Sequence, residues 1–256
     1  MSGALGRRGG RGVGADRGRP AAGPAPGAEG GARAPDAPLL VGTHLGHTYR
    51  GLSSPVLADI SVEVRAGELV GVTGPSGSGK STLLSVLGLL LPPSAGRVVV
   101  RGEDAWASRS SARRLARECF AWILQNSACL EARTALENVA VALLCQGERR
   151  NASVVPAADA LEAVGLGERL GAVAATLSGG ELQRVTVARA LASGRPVVLA
   201  DEPTGQIDPA GTDAVAAALW SCATAGQAVV VATHDPRVAR RCDRVVELDT
   251  VAPGRR

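Results

Sequence analysis

The feature that most constrains this sequence is the segment GPSGSGKST at residues 74–82. It follows a short apolar run, residues 69–73, and precedes an apolar stretch that is typical of a helix. The order of strand, glycine-rich loop and helix matches the pattern G-x-x-x-x-G-K-[ST], in which glycines let backbone N–H groups turn toward phosphate oxygens. The helix N-terminus adds partial positive charge. The segment therefore predicts a phosphate-binding loop in an α/β protein.

Within this loop, Lys80 is the only lysine of the chain, and every other long cationic side chain is an arginine. We expect Lys80 to reach the β- and γ-phosphates of a nucleotide and the Ser81 hydroxyl to bind Mg²⁺. A glycine-rich turn without a ligand is the weaker interpretation. The residues predicted to bind the nucleotide here are Gly74, Pro75, Ser76, Gly77, Ser78, Gly79, Lys80, Ser81 and Thr82.

A second motif is an apolar strand that ends in two carboxylates, VVLADE at residues 197–202. Asp201 is placed to hold Mg²⁺ through water, and Glu202 to orient and polarise the attacking water. Two adjacent acids after a strand often mark only the solvated start of a loop. The phosphate loop upstream favours the catalytic interpretation.

The hydrophobic pattern predicts a layered α/β domain with a parallel core sheet. Residues 58–64 alternate as a half-buried antiparallel strand does, whereas buried-type apolar runs stand at residues 98–100, 197–200, 229–232 and 245–248. Helices are predicted at residues 81–91, 135–144, 157–164, 181–192 and 211–223.

Between the two motifs, the segment LSGGELQRV at residues 177–185 resembles the signature sequence of ABC-type ATPases. Further motifs follow in the family's order: Gln125 resembles the Q-loop glutamine, GQID at residues 205–208 the D-loop, and His234 the switch histidine. The resemblance covers residues 39–249. It implies a P-loop NTPase fold of ABC type, with an N-terminal antiparallel β subdomain and a helical signature subdomain at about residues 126–192.

The resemblance also implies roles for residues outside the phosphate loop. Two cassettes pair head to tail around two ATP molecules, so that the loop of one and Ser178, Gly179 and Gly180 of the other enclose each nucleotide. From residue types alone, Ser178 and the glycine amides form a second anion-binding helix start. Gln125 and His234 join Glu202 in catalysis, and Gln125 is also a metal ligand together with Ser81 and Asp201.

One tyrosine and two histidines lie near the predicted N-terminal strand, outside the motifs above. Tyr49 resembles the aromatic residue that stacks on adenine, and a plain packing role stays open. His44 and His47 are expected at the surface.

The motifs DEPTG at residues 201–205, THD at 233–235 and LENV at 136–139 are similar to the lipoprotein-release, macrolide-export and cell-division type of ABC ATPases. The resemblance implies a permease partner with few helices and a large extracytoplasmic domain, and in the family the segment after Gln125 holds the permease's cytoplasmic coupling helix. The apolar positions of this segment are Cys129, Leu130, Ala135, Val139, Leu143 and Leu144. Most are expected in the core, leaving an exposed subset near residues 126–133. The signature has Leu182 where the family often has a polar residue, and the D-loop has Gln206 and Ile207 where Asn and Leu are frequent. These departures from the family pattern remove no phosphate or metal ligand.

Composition indicates whether the chain spans a membrane, which part of it folds and which redox compartment it suits. The longest apolar stretch, residues 83–91, is interrupted by Ser85 and Gly88 and is too short to span a bilayer. Residues 1–37 are rich in Gly, Ala, Arg and Pro and are predicted to be disordered, whereas residues 38–256 form the ATP-binding domain. Five cysteines without metal-like spacing favour a reducing cytosol.

The sequence therefore predicts an ATPase subunit at the inner face of the cell membrane, working as a homodimer or paired cassette with a separate membrane permease. The net charge of +4 resides mostly in the tail, and aromatics are 2% of the chain, so no nucleic-acid partner is expected. The alternative is a soluble ABC ATPase that acts on nucleic acid or ribosomes. Such proteins usually carry coiled-coil insertions, zinc motifs or two cassettes in one chain, and the sequence shows none of these.

Overall fold

The computed structural model describes residues 37–124, 129–205, 207 and 209–250. The predictions for the tail before residue 37, for Gln125, for residues 126–128 of the docking segment and for residues 206 and 208 of the D-loop lie outside these residues. The described strands and helices follow in chain order: β1 (Leu40–His47), β2 (Leu57–Val64), β3 (Leu69–Thr73), α1 (Lys80–Leu87), β4 (Ala95–Val100), β5 (Glu103–Asp104), α2 (Arg109–Cys119), β6 (Phe120–Ile123), α3 (Ala135–Leu144), α4 (Arg150–Ala163), α5 (Gly179–Ala192), β7 (Val197–Asp201), α6 (Pro209–Thr224), β8 (Ala228–Ala232), α7 (Pro236–Ala239) and β9 (Arg244–Glu247).

Two sheets organise the described residues. An antiparallel sheet has the order β2-β1-β4-β5, and a parallel sheet has the order β6-β7-β8-β3-β9. The predicted parallel core sheet and N-terminal antiparallel sheet are confirmed. Because β7, β8 and β3 are neighbours and parallel, the loops that follow them leave the same edge of the sheet.

The parallel sheet is covered on both faces, which explains why its strands are apolar without alternation. Val197 and Leu199 of β7 belong to one buried cluster, with α1 and the antiparallel sheet. Val198 and Ala200 belong to the other, with α3 to α6. Burial on both faces holds the strand ends, and the loops they carry, in fixed positions.

Helix α1 ends at Leu87 and not at residue 91 as predicted, and β1, β5 and α7 were not predicted. Three other differences have a clear physical reason. The run at residues 98–100 lies in β4 of the antiparallel sheet, because a fully apolar run reports burial and not the direction of pairing. Helix α2 was not predicted, since its sequence is mostly polar and only Ala112, Leu115 and Cys119 are buried. Helix α4 begins at Arg150 and includes Pro156, whereas the prediction began after that proline.

Within the described ranges, no helix is long and apolar enough to cross a bilayer.

Candidate active site

The phosphate loop joins the end of β3 to the start of α1. Gly74 and Gly79 have φ of +146° and +93°, a backbone region that L side chains rarely adopt. A Cβ on Gly74 would lie 2.4 Å from the Leu248 carbonyl oxygen, and one on Gly79 would lie 2.9 Å from the Val56 carbonyl oxygen. Both positions therefore require glycine for conformation and for space.

The Lys80 side chain lies inside this loop. Its Nζ donates to the carbonyl oxygens of Gly74 at 2.9 Å and Pro75 at 3.1 Å, and only 10% of the side chain is exposed. The same Nζ is 4.0 Å from Glu202 Oε1. The buried Ser78 hydroxyl has no hydrogen-bond partner among the described residues. The loop thus holds one ammonium group and one unpaired hydroxyl, both suited to phosphate oxygens.

Ser81 and Asp201 meet where α1 faces the end of β7. The Ser81 hydroxyl donates to Asp201 Oδ1 at 3.1 Å. A hydroxyl and a carboxylate oxygen at this separation are ligands of the kind that Mg²⁺ accepts, so the residues present fit a magnesium ion bound beside the phosphates.

Glu202 is adjacent to Asp201 in sequence but contacts a different group. Its Oε2 accepts from His234 Nδ1 at 2.7 Å, and the backbone N–H of His234 also donates to it at 3.4 Å. The φ of Glu202 is +46°, in the left-handed region that is costly for a residue with a Cβ. This conformation directs the two neighbouring carboxylates to separate partners, one on α1 and one after β8.

Three of these groups line one cleft of about 330 Å³, whereas Asp201 and His234 contact two of them but are not among its lining residues. Lys80 and Ser81 line it from the phosphate loop, and Glu202 lines it from the end of β7. The full lining is Val56, Ser76, Gly77, Gly79, Lys80, Ser81, Thr82 and Glu202. The structure therefore brings the loop and the predicted general base together.

Tyr49 lies beside this cleft. Its hydroxyl is 3.1 Å from Thr82 Oγ1, and 39% of the residue is exposed. The prediction that His47 is at the surface is wrong. His47 is buried at 7% exposure, with its ring 4.7 Å from that of Tyr49 and nearly perpendicular to it. His44, in contrast, is exposed as expected.

The signature segment forms the start of α5. Ser178 is the N-cap: its Oγ accepts from the backbone N–H of Glu181 at 3.3 Å, and Glu181 Oε2 accepts from the backbone N–H of Ser178 at 2.9 Å. The Ser178 N–H, with support from Arg169, lowers the pKa of the Glu181 carboxyl. Ser178, Gly179 and Gly180 are not among the residues that line the cleft of their own chain.

A second surface feature is an apolar groove of about 320 Å³ formed mainly by α3 and α4. Of the apolar positions predicted here, Ala135, Val139 and Leu143 are buried and Leu130 is exposed, as expected. Leu144 is also exposed, although the exposed positions were expected only near residues 126–133. Charged side chains form its rim, where Glu137 pairs with Arg133 at 3.5 Å and Arg150 at 3.3 Å. The groove is lined by Leu130, Arg133, Leu136, Glu137, Ala140, Val141, Leu144, Arg150 and Val154.

Comparison with known proteins gives consistent matches. The profile described as ABC transporter matches residues 57–205. The lipoprotein-releasing system ATP-binding protein LolD 2 of Caulobacter vibrioides is 46% identical over 196 residues, which cover 76% of this chain and 86% of that protein. The macrolide export ATP-binding/permease protein MacB 1/2 of Paracoccus denitrificans is 45% identical over 196 residues, and the match spans only 29% of its length.

Among solved structures, a dimeric post-hydrolysis state of the ATP-binding cassette MJ0796, bound to ADP and Pi, superposes with a TM-score of 0.72 at 29% identity. The match covers 82% of this chain and 96% of that one.

Proposed function

Because this chain belongs to the ABC transporter family, we propose that it binds and hydrolyses ATP to power a separate membrane permease, at the inner face of the cell membrane. The observation that carries the proposal is the single cleft where Lys80, Ser81 and Glu202 meet. The relatives compared above are named as transport ATP-binding proteins, and nothing supports the alternative of an ATPase acting on nucleic acid.

Nucleotide binding rests on the phosphate loop. Its glycine conformations turn backbone amides toward the phosphates, and the Lys80 ammonium neutralises their charge at the centre of the loop. Ser81 and Asp201 would hold Mg²⁺. When bound, this ion offsets the negative charge that develops between the β- and γ-phosphates.

Hydrolysis rests on Glu202 and His234. The Glu202 carboxylate takes a proton from the attacking water, and its place 4.0 Å from Lys80 keeps it next to the γ-phosphate position. A carboxylate can only accept hydrogen bonds, so His234 Nδ1 carries a proton in this pair and Nε2 is left for the γ-phosphate. Gln125 is proposed to complete this set, as a ligand of the metal ion and as a hydrogen-bond partner of the attacking water.

The second half of each site is proposed to come from another cassette. The amides of Gly179 and Gly180 open α5, where the helix N-terminus favours an anion. Ser178, Gly179 and Gly180 do not line the cleft of their own chain, so a head-to-tail dimer is what would place them against ATP.

The permease is proposed to dock in the groove between α3 and α4. An amphipathic cytoplasmic helix fits a groove of this kind, with apolar anchors against Leu130 and Leu144 and polar contacts at the charged rim. Arg133 lines the groove and Glu131 does not, so the two residues offer a matched pair for mutation.

The test of ATP binding is a titration of the full chain with ATP, compared with Lys80→Ala. We expect the variant to lose binding by at least about 100-fold, because a buried charge-assisted contact to phosphate is removed. Arg97→Ala, which changes an exposed cation on β4, is the control. Normal ATP affinity in Lys80→Ala would contradict the proposed site.

A further inference from the structure

The exposed aromatic ring of Tyr49 is fixed at two points. Its hydroxyl is hydrogen-bonded to Thr82 Oγ1 at 3.1 Å, and Thr82 is itself 7% exposed on α1, the helix that carries Lys80 and Ser81. Thr82 also lines the 330 Å³ cleft. Tyr49 is therefore hydrogen-bonded to the helix that follows the phosphate loop.

The second point of contact is His47. Its Nδ1 lies 3.1 Å from the carbonyl oxygen of Pro92, and because a carbonyl only accepts, Nδ1 must carry the proton. This bond fixes a ring that is 7% exposed, and its centroid lies 4.7 Å from that of Tyr49 at an interplanar angle of 80°. Such an edge-to-face pair holds the tyrosine ring in one orientation.

We infer that His47 and Thr82 are positioning residues that place the Tyr49 ring in advance for the base of a nucleoside triphosphate. The inference deepens the proposed function and depends on it. A side chain that is already ordered pays its loss of rotamer freedom during folding and not during ligand binding. Removal of one contact should therefore weaken the binding of the base-bearing nucleotide and leave the phosphate contacts unchanged.

The experiment compares the affinity for ATP with that for inorganic tripolyphosphate, using the full chain and two variants of His47. His47→Asn keeps a donor for the Pro92 carbonyl but removes the ring, whereas His47→Phe keeps a ring but removes the donor. We expect His47→Asn to raise the Kd for ATP about 2- to 10-fold and to leave the Kd for tripolyphosphate unchanged. His47→Phe should bind ATP more tightly than His47→Asn.

His44→Asn is the matched control, since His44 is an exposed histidine of the same strand and its φ of +50° is tolerated by asparagine. Tyr49→Phe removes only the hydroxyl that contacts Thr82. It tests the other anchor without a change in the buried histidine, and should also weaken ATP alone. This variant serves if His47→Asn fails to fold.

Unchanged ATP affinity in both His47→Asn and Tyr49→Phe would overturn the positioning role. Equal weakening of ATP and tripolyphosphate would also overturn it, because the residues would then act on the phosphate loop. Tyr49→Ala separates this inference from the proposed function. If that variant binds ATP normally while Lys80→Ala does not, the site binds nucleotide but Tyr49 is not its base platform.

Discussion

Glu202→Gln tests the proposed chemistry most directly. The substitution keeps the size of the side chain and the left-handed backbone of residue 202, so the cost of that conformation is unchanged. The amide oxygen can still accept from His234 Nδ1, which lies 2.7 Å from the carboxylate. The ability to take a proton from water is what the variant loses.

The expected magnitude follows from that single loss. A positioned general base contributes about 10²- to 10⁴-fold to a rate, which corresponds to about 3 to 5 kcal/mol of barrier. Glu202→Asp keeps the proton acceptor but retracts it by one methylene, and a misplacement of about 1 Å can cost about 10²-fold. We therefore expect turnover to fall in the order wild type, Glu202→Asp, Glu202→Gln.

The assay measures steady-state ATP hydrolysis by the chain assembled with its permease, together with ATP affinity and the mass of the complex by light scattering. Glu202→Gln should bind ATP normally and accumulate as an ATP-bound dimer. Glu247→Gln, at an exposed carboxylate of β9, is the control. Hydrolysis near the wild-type rate in Glu202→Gln would remove Glu202 from the catalytic role. Loss of ATP binding in this variant would show instead that Glu202 acts by positioning Lys80 for the phosphates.

Three further predictions concern the loop, the signature helix and the groove. Lys80→Arg should abolish ATP hydrolysis in a phosphate-release assay, because a planar guanidinium does not fit a loop built around a compact ammonium; normal turnover would refute this. The pKa of Glu181 is lowered in the folded state by the Ser178 N–H, so the stabilisation is present above the unfolded pKa near 4.5 and is lost as pH falls through the lower folded value. Glu181→Gln should therefore reduce stability at pH 7 by about 0.5 kcal/mol, with a smaller difference near pH 3, and a difference in Tm that does not depend on pH would contradict it. Arg133→Glu should weaken capture of the solubilised permease in a pull-down, whereas Glu131→Arg should not. Undiminished capture by Arg133→Glu would place the docking surface outside this groove.

The parts of the fold that could be predicted from sequence are those where a short stretch of residues permits only one backbone conformation. The glycines at residues 74 and 79 adopt positive φ against backbone atoms, so the loop pattern itself encodes the conformation. The apolar strand β7, with Asp201 as its last residue and Glu202 directly after it, could likewise be placed in a parallel sheet with both acids at its carboxyl end. The pattern did not reveal that Glu202 turns away from Asp201, because that depends on a backbone dihedral angle at a single residue.

Features that depend on contacts distant in sequence were missed. His47 is buried because Pro92, on a separate loop, supplies its hydrogen-bond partner. Helix α2 buries only a narrow stripe, and its clearest signal was Ser108, which caps the helix by accepting from the Ser111 N–H. The capping box of α5 could have been predicted from Ser178 and Glu181, since the two residues have the required spacing.

The burial of Lys80 within its loop has a practical consequence for spectroscopy. Since this chain contains one lysine, growth on isotopically labelled lysine would place a single labelled ε-amine in the protein. That amine donates to the carbonyl oxygens of Gly74 and Pro75. An NMR spectrum of such a sample would contain one side-chain ammonium resonance, and a titration would follow the phosphate loop without any need for resonance assignment or mutation.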